Sequence, residues 1–437
     1  MTSPETLCRN LSVNAEGHLC FGGYDTLALA AEYGTPLYLL DETTVRDNCL
    51  TYLTAFSDCF PAGSLPLYAS KALSFAGIYR IMEELRMGID VVSVGEIFTA
   101  QKAGFDLRRA FFHGNNKTDA DIAYAMDAHV GCFVVDNEEE LLAIQDAAAA
   151  RGRTQDILIR LTPGIDTHTY EAVNTGKVDS KFGLAIETGQ GEAITARALQ
   201  LPNVALQGFH CHVGSQVFAE DVFERSAVIM LRFIADIARK YGYTARCLNL
   251  GGGYGVRYVE SDPQIDIAAK IADVAAAMNE ACAELGIPVP AVLMEPGRSI
   301  VADAGMTLYT TGTVKHIPGY KSYVSIDGGM SDNPRYALYG SQYTVYAAGR
   351  MNEEPDLVCD LVGRCCESGD VIQPEITLPG SVRRGDVIAV CTTGAYNYAM
   401  ASNYNRIPRP PIVLLRPEGS VLAVRRETLE DLAALDL

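Results

Sequence analysis

Between residues 60 and 300 the chain alternates short apolar runs with longer stretches whose apolar positions recur at helical spacing. The runs fall at 65–69, 89–93, 110–113, 132–136, 157–161, 206–211, 247–250 and 292–295. Several are apolar almost without interruption, as strands buried on both faces of a parallel sheet require. The segments between them, such as 137–150, 222–241 and 265–285, are rich in Ala, Leu, Glu and Lys near a 3.6-residue period and predict helices. About eight βα units predict a (β/α)8 TIM-like barrel in an α/β chain, with an open doubly wound sheet as the alternative. The polar residues favour the barrel. Nearly every run ends in reactive or glycine-rich sequence, including Ser70-Lys71, His113-Gly114-Asn115, Arg160, His212, Gly251-Gly252-Gly253 and Glu295-Pro296-Gly297-Arg298. Barrel active sites sit at the C-terminal ends of the strands.

Beyond residue 305 the period shortens. Alternating segments at 307–315, 323–326, 356–363, 386–391, 412–415 and 421–424, separated by Gly, Pro, Asn and Asp, predict a mainly antiparallel β domain. A helical pattern returns only at 428–437. The first ~35 residues match neither texture. The expected division is a barrel over 37–305, with 1–36 and 306–437 forming the β domain.

Composition narrows the classes. At a soft prior of about 150 residues per domain, 437 residues make about three domains, or one large barrel plus a smaller unit. With 48% hydrophobic and 20% charged residues the chain is neither disordered nor fibrous. No apolar run approaches the ~18 residues of a membrane span, and the start lacks the basic and apolar regions of a signal peptide. A net charge of −19 repels phosphate backbones and anionic lipid, so neither nucleic acid nor membrane is an expected partner. The 12 cysteines lie scattered, without a CxxC pair or a His/Cys cluster at zinc spacing. Reduced thiols in a cytoplasm, and no metal, are the expectation.

Single residues carry weak signals. Lys71 ends the first run, where an amine facing a pocket can form a Schiff base with a carbonyl cofactor, though most lysines are simply exposed. The glycine triplet follows the seventh run, where barrels commonly bind phosphate. Its backbone N–H groups can approach an anion closely, and Ser215 can add a hydroxyl. Glu295 ends the eighth run. A buried carboxylate there needs a cationic partner, either the ring nitrogen of a pyridine cofactor or Arg298 nearby. Arg298 could also bind phosphate or a substrate carboxylate. His210 and His212 project to one side of a regular strand. No neighbouring carboxylate in sequence completes a metal triad, so a structural pair, or an imidazole stacked on a flat cofactor, is expected. The long connection carrying Asp179-Ser180-Lys181-Phe182-Gly183 is either functional or a surface loop. In the β domain, Cys365-Cys366-Glu367 sets thiols beside an acid, and Arg335, Tyr339 and Tyr396 stand near turns.

Taken in order, these motifs resemble the alanine-racemase-like (fold type III) pyridoxal-phosphate decarboxylases, and most closely those acting on diaminopimelate. The motifs are YASKA, GIDVVSVGE, FHGNNK, Thr167-His-Thr-Tyr170, DSKFG, HCHVGSQ, NLGGGYG, EPGRSIV, IDGGMSDNPRYALYG, CCESGD and GAYNYAMASNYN. The resemblance covers most of the chain, from about residue 34 to residue 405. It implies pyridoxal 5'-phosphate as cofactor and decarboxylation of meso-2,6-diaminopimelate to L-lysine and CO2. Another basic amino acid or a carboxylated polyamine is the alternative substrate, and a non-catalytic cofactor-binding regulator the rival of a different class. By the resemblance, Lys71 holds the cofactor carbonyl, His212 stacks on the ring and Glu295 meets the pyridinium nitrogen. Ser215, Gly252, Gly253, Gly297, Arg298 and Tyr396 bind phosphate. Arg298, Arg335, Tyr339, Glu367 and Tyr396 hold the distal groups of the substrate. Cys366 donates the proton, acting with Glu367 on the partner subunit's site, so a homodimer is implied. The sequence departs from the family pattern at Cys365, Leu73, Asn397 and Ala399, where His, Asn, Gly and Ser are common.

Overall fold

A computed structural model describes residues 7–165, 181–219 and 221–437. The motifs at Thr167–Tyr170 and at Asp179 and Ser180 lie outside the described residues. The chain forms two compact units. One comprises Cys49–Gly255 and Ile265–Gly297; the other comprises Met1–Asn48, Val256–Gln264 and Arg298–Leu437.

The first unit is the barrel. Its strands are β1 (Leu65–Ala69), β2 (Gly88–Val91), β3 (Ala110–Phe112), β4 (Cys132–Val135), β5 (Gln155–Thr162), β6 (Val204–His210), β7 (Cys247–Asn249) and β8 (Ala291–Met294). Each pairs in parallel with the next, and β8 pairs with β1 through Leu293 opposite Leu65. That last pairing closes the sheet and excludes the open alternative. Leu67, Cys132, Val134, Leu158 and Leu293 pack together from strands on opposite sides of the barrel, so they fill its interior. Every strand falls within two residues of its apolar run, because a strand covered on both faces leaves no polar position to blur its ends.

The surrounding helices start where their caps dictate. Glu138–Ala150 begins after Asn137, whose side chain accepts the Glu140 N–H, and Ile267–Leu285 begins after Asp266, which accepts that of Ala269. Asp119–Asp127 opens with a capping box between Thr118 and Asp121. The longest barrel helix, Val222–Tyr241, buries Phe223, Ala227, Met230, Leu231 and Ile234 along one face and stops at left-handed Gly242.

The second unit is built on β9 (Gly305–Ile317), β10 (Lys321–Ile326), β11 (Val345–Ala347), β12 (Leu357–Val362), β13 (Val371–Leu378), β14 (Val387–Cys391), β15 (Ile412–Arg416) and β16 (Gly419–Val424). The strand Leu37–Asp41 pairs antiparallel with β9 and parallel with β15. The other pairings are antiparallel except β10 with β12. Alternate residues point inward: Leu37 and Leu39, Met306 and Leu308, Ala389 and Cys391, and Val413 and Leu415 form one core. The amino-terminal segment, which fits neither sequence texture, is a small three-stranded sheet whose Leu11, Leu19 and Phe21 enter this same core. The sequence pattern did not predict β11 and β13. The first is three residues long, and the second carries Pro374 and exposed polar positions.

Among the described residues no helix is long and apolar enough to cross a membrane. All twelve cysteines are unbridged, and Cys366 alone is exposed.

Candidate active site

The barrel gathers its reactive groups at the C-terminal ends of its strands. Lys71 emerges from the short turn Ser70–Ala72 after β1, exposed between buried Ser70 and Ala72. The hydroxyl of buried Tyr68 donates to the Leu73 carbonyl at 2.7 Å and ties the turn down. The charge of Lys71 bears on Asp90, Glu96 and His212. Burial raises the Asp90 carboxyl, and it lifts Glu96 to about 7 despite the Val92 N–H donated to Glu96 Oε2 at 2.7 Å.

At the end of β8, Glu295 is buried and surrounded by nitrogen. Asn249 Nδ2, from β7, donates to Oε1 at 2.6 Å. His113 Nε2, following β3, lies 2.8 Å from the same oxygen at an oblique angle. His210 Nε2, ending β6, meets Oε2 at 3.2 Å. Burial works against the charge of Glu295, but the two imidazoles outweigh it, holding the carboxyl well below its usual range. Burial also pushes His210 down to about 4, so that ring is a neutral donor. In sequence no neighbouring carboxylate joins His210 and His212, and the residue that shares a carboxylate with His210 is His113. The barrel supplies one, since strands three and six bring two histidines to the carboxylate of strand eight.

His212 faces a different neighbour. The Gly252 N–H donates to its Nδ1 at 3.2 Å, and burial, followed by Lys71 and Arg160, holds its pKa well below the ordinary value. The glycine loop is knitted to the Gly214–Val217 segment by Val217 N–H to Gly253 O at 2.9 Å and Gly255 N–H to Val217 O at 3.0 Å. No side chain fits there. A Cβ on Gly253, at φ +125°, would stand 2.2 Å from the Gly214 carbonyl, and one on Gly252 would stand 2.1 Å from that of Glu295. Gly297 is packed as tightly, its Cβ position lying 2.9 Å from the Ala69 Cβ. Ser215 is half-buried in the loop joined to this glycine turn.

Arg160, within β5, is buried, with its guanidinium 4.5 Å from the Phe182 ring centre. Gly183 N–H donates to Asp136 Oδ1 at 3.0 Å and anchors the described end of the long connection after β5. Asp90, His113, Arg160 and Asn249 therefore belong to the barrel's polar mouth, although sequence reasoning gave them no role. Their signal was position, since each sits at or within two residues of the C-terminal end of its strand.

The sheet unit holds a second cluster. Arg298 and Arg335 are both buried, with guanidinium carbons 4.7 and 5.3 Å from the Tyr396 ring centre. Arg335 also faces Tyr339 at 5.0 Å, and Arg298 Nη1 donates to the Tyr258 hydroxyl at 2.6 Å. Burial works against the Arg298 cation, but Tyr258 and Tyr396 outweigh it and its pKa rises. Asn397, where the family pattern has Gly, is fully buried and donates to Tyr343 Oη at 3.3 Å and to the Thr393 carbonyl at 3.1 Å. The structure thus brings Arg298, Arg335, Tyr339 and Tyr396 together. Cys366 and Glu367 stand instead on the exposed turn between β12 and β13, where the Cys366 N–H donates to Asn405 Oδ1 at 2.7 Å. Cys365 beside it is buried.

Residues 45–302 match the family model described as "Pyridoxal-dependent decarboxylase, pyridoxal binding domain". The chain is 42% identical over 424 residues to a diaminopimelate decarboxylase of Bacillus subtilis, covering 97% of this chain and 96% of that one. The crystal structure of diaminopimelate decarboxylase from M. jannaschii in co-complex with L-lysine superposes with a TM-score of 0.90 at 33% identity, covering 98% of both chains. The Helicobacter pylori diaminopimelate decarboxylase complexed with L-lysine gives 0.83 at 32% identity, covering 94% of this chain and 99% of that one.

Proposed function

This chain belongs to the pyridoxal-dependent decarboxylases, within the diaminopimelate decarboxylase group, and from that membership we propose that it removes one carboxylate of meso-2,6-diaminopimelate as CO2 and leaves L-lysine, the last step of lysine synthesis. The observation that carries the assignment is the donor set at the barrel mouth, which fits pyridoxal 5'-phosphate. An exposed lysine amine, a buried ionised carboxylate and a glycine-only turn of backbone N–H groups stand at the ends of β1, β8 and β7. Each matches one part of that cofactor: its carbonyl, its ring nitrogen and its phosphate.

When bound, the cofactor supplies the electron sink for the charge left on the substrate carbon as CO2 departs. The protein supplies everything else. Lys71, at the end of β1, would hold the cofactor through its carbonyl carbon. Glu295, held ionised, would accept a hydrogen bond from the ring N–H and so favour its cationic form. His212, a neutral imidazole, would stack on the ring. Ser215, Gly252, Gly253, Gly297, Arg298 and Tyr396 would bind the phosphate, Ser215 and Tyr396 through their hydroxyls and Arg298 through its guanidinium, while Gly252, whose N–H is engaged by His212, contributes the room a side chain would fill.

Arg298, Arg335, Tyr339, Glu367 and Tyr396 hold the distal amino and carboxylate groups of the substrate. A buried arginine built to pair with a carboxylate discriminates strongly against amines that lack one, because its charge is then left unmatched. This favours diaminopimelate over the other basic amino acids. Cys366 holds the proton delivered to the substrate carbon. Its exposed turn suits a residue that serves the partner subunit's site, so the working form is a homodimer.

The test is incubation of the protein with pyridoxal phosphate and meso-diaminopimelate, followed by detection of lysine and CO2, with ornithine, arginine and lysine as competitors. Release of CO2 from diaminopimelate alone supports the reading, and preferential release from another amino acid overturns it. Lys71→Ala abolishes the cofactor's visible absorbance and turnover; full turnover in that variant refutes the role of Lys71.

A further inference from the structure

A carboxylate buried at the end of a strand has two problems. It has lost its water, and its plane is free to turn unless something fixes it. At Glu295 both are met by groups far apart in sequence. Asn249 and His113 converge on Oε1 at 2.6 and 2.8 Å, and His210 meets Oε2 at 3.2 Å. These contacts come from β7, from the residue after β3 and from β6, so the carboxylate is met from three directions around the barrel; that of His113 is a close ionic contact, too oblique for a hydrogen bond. The two imidazoles also brace each other edge to face, with ring centres 4.8 Å apart. His113 Nε2 lies 3.9 Å from Asp90 Oδ1 as well, so this one nitrogen stands between two buried carboxyl groups.

The two oxygens are unequally used. Oε1 takes two close contacts and Oε2 takes one longer one, so the remaining acceptor capacity lies on Oε2. An apolar filler at residue 113 would satisfy space but not this asymmetry.

We propose that His113 is a positioning residue for the decarboxylation, fixing the orientation and ionisation of Glu295 through Oε1 so that Oε2 is presented to the cofactor's ring nitrogen. The inference rests on the reading that Glu295 faces that nitrogen. It assigns to the FHGNNK motif a task carried out through another residue, not by contact with the substrate. His210 and Asn249 complete the grip, and His113 Nε2 in addition lies 3.9 Å from Oδ1 of Asp90, whose carboxyl, raised by burial, His113 helps to lower and Glu295 helps to raise.

The test uses the full-length protein and two cofactors. Apparent dissociation constants are measured by spectroscopic titration for pyridoxal phosphate and for its 1-deaza analogue, in which C–H replaces the ring nitrogen. The quantity of interest is the ratio of the two constants. His113→Phe keeps a flat ring and loses the nitrogen that stands 2.8 Å from Oε1. It is expected to cut the preference for pyridoxal phosphate by about tenfold, the scale of a charge-assisted contact, while binding of the deaza analogue stays unchanged. His113→Gln, whose amide can replace Nε2, is expected to restore the preference to within about threefold. If His113→Phe does not fold, His113→Asn, with an amide too short to reach Oε1, takes its place. Equal weakening of both cofactors makes His113 merely structural and overturns the proposal. Glu295→Gln separates the two levels. A preference unmoved by Glu295→Gln overturns the reading of Glu295 itself. A preference that responds to Glu295→Gln but not to His113→Phe or His113→Asn overturns the role of His113 alone.

Discussion

The backbone N–H of Gly252 donates to Nδ1 of His212 at 3.2 Å. A nitrogen that accepts a hydrogen bond carries no proton, so the neutral imidazole bears its hydrogen on Nε2. Burial, with Lys71 and Arg160 adding to it, depresses the pKa and keeps the ring in this form. Nitrogen-15 spectra at pH 7 should show His212 as the neutral Nε2–H tautomer.

A depressed imidazole also makes stability depend on pH in a definite sense. Below the unfolded pKa near 6.5 the unfolded chain binds a proton that the folded chain refuses, so the contribution of His212 is fully present above that pH and is lost as pH falls. Each pH unit in that window costs about 1.4 kcal/mol. The stability lost between pH 7 and pH 5 should therefore be smaller in His212→Asn by about 1–2 kcal/mol, measured by urea unfolding at the two pH values. An equal loss in both proteins contradicts the neutral assignment.

Cys365 and Cys366 are neighbours with opposite environments. Burial, and then Asp370, raise the Cys365 thiol, whereas Cys366 is exposed. A disulfide reagent should label Cys366 first, as mass spectrometry would show. Cys366→Ala should lower kcat by about 100-fold or more, the range of a lost acid–base group. Cys365→Ala should leave kcat nearly unchanged. Equal effects on turnover would refute Cys366 as the proton donor.

Arg335 is buried against the rings of Tyr339 and Tyr396. Lysine keeps the charge but loses both the stacking and the planar fork. Arg335→Lys should reduce kcat/KM for diaminopimelate by about 100-fold, chiefly through KM, while any slow reaction with an amino acid lacking the distal carboxylate changes little. Steady-state kinetics with the two substrates decides it.

Asp370, the last residue of the CCESGD motif, links two segments distant in sequence. Its Oδ1 accepts the Met330 N–H at 2.6 Å and its Oδ2 accepts the Cys365 N–H at 2.7 Å. Room for that carboxylate exists because residues 329 and 363 are glycines; a Cβ at either would stand 2.6 or 2.3 Å from Oδ2. Asp370→Ala leaves two N–H groups without their acceptor and should cost about 2–4 kcal/mol of stability by chemical denaturation. Looser attachment of the turn should also speed the labelling of Cys366.

The architecture of this chain was largely legible in its apolar pattern. Strands buried on both faces, such as 65–69 and 132–135, write themselves as uninterrupted apolar runs, and helices such as 222–241 as an apolar stripe. The ordered motifs identified the family, and of their residues the glycines at 252 and 253 are demanded locally, by a turn without space for Cβ. Strands governed by their neighbours, such as 345–347 and 371–378, were not legible. Neither were partnerships. Nothing in the sequence places His113, 182 residues before Glu295, on the carboxylate, nor gives Asp370 its hold on Met330, 40 residues earlier. Local sequence determines which groups are present and which strand end carries them. Closure of the barrel, and the packing of loops from separate strands, decides which of them touch, and so sets the ionisation of Glu295 and the neutrality of His212.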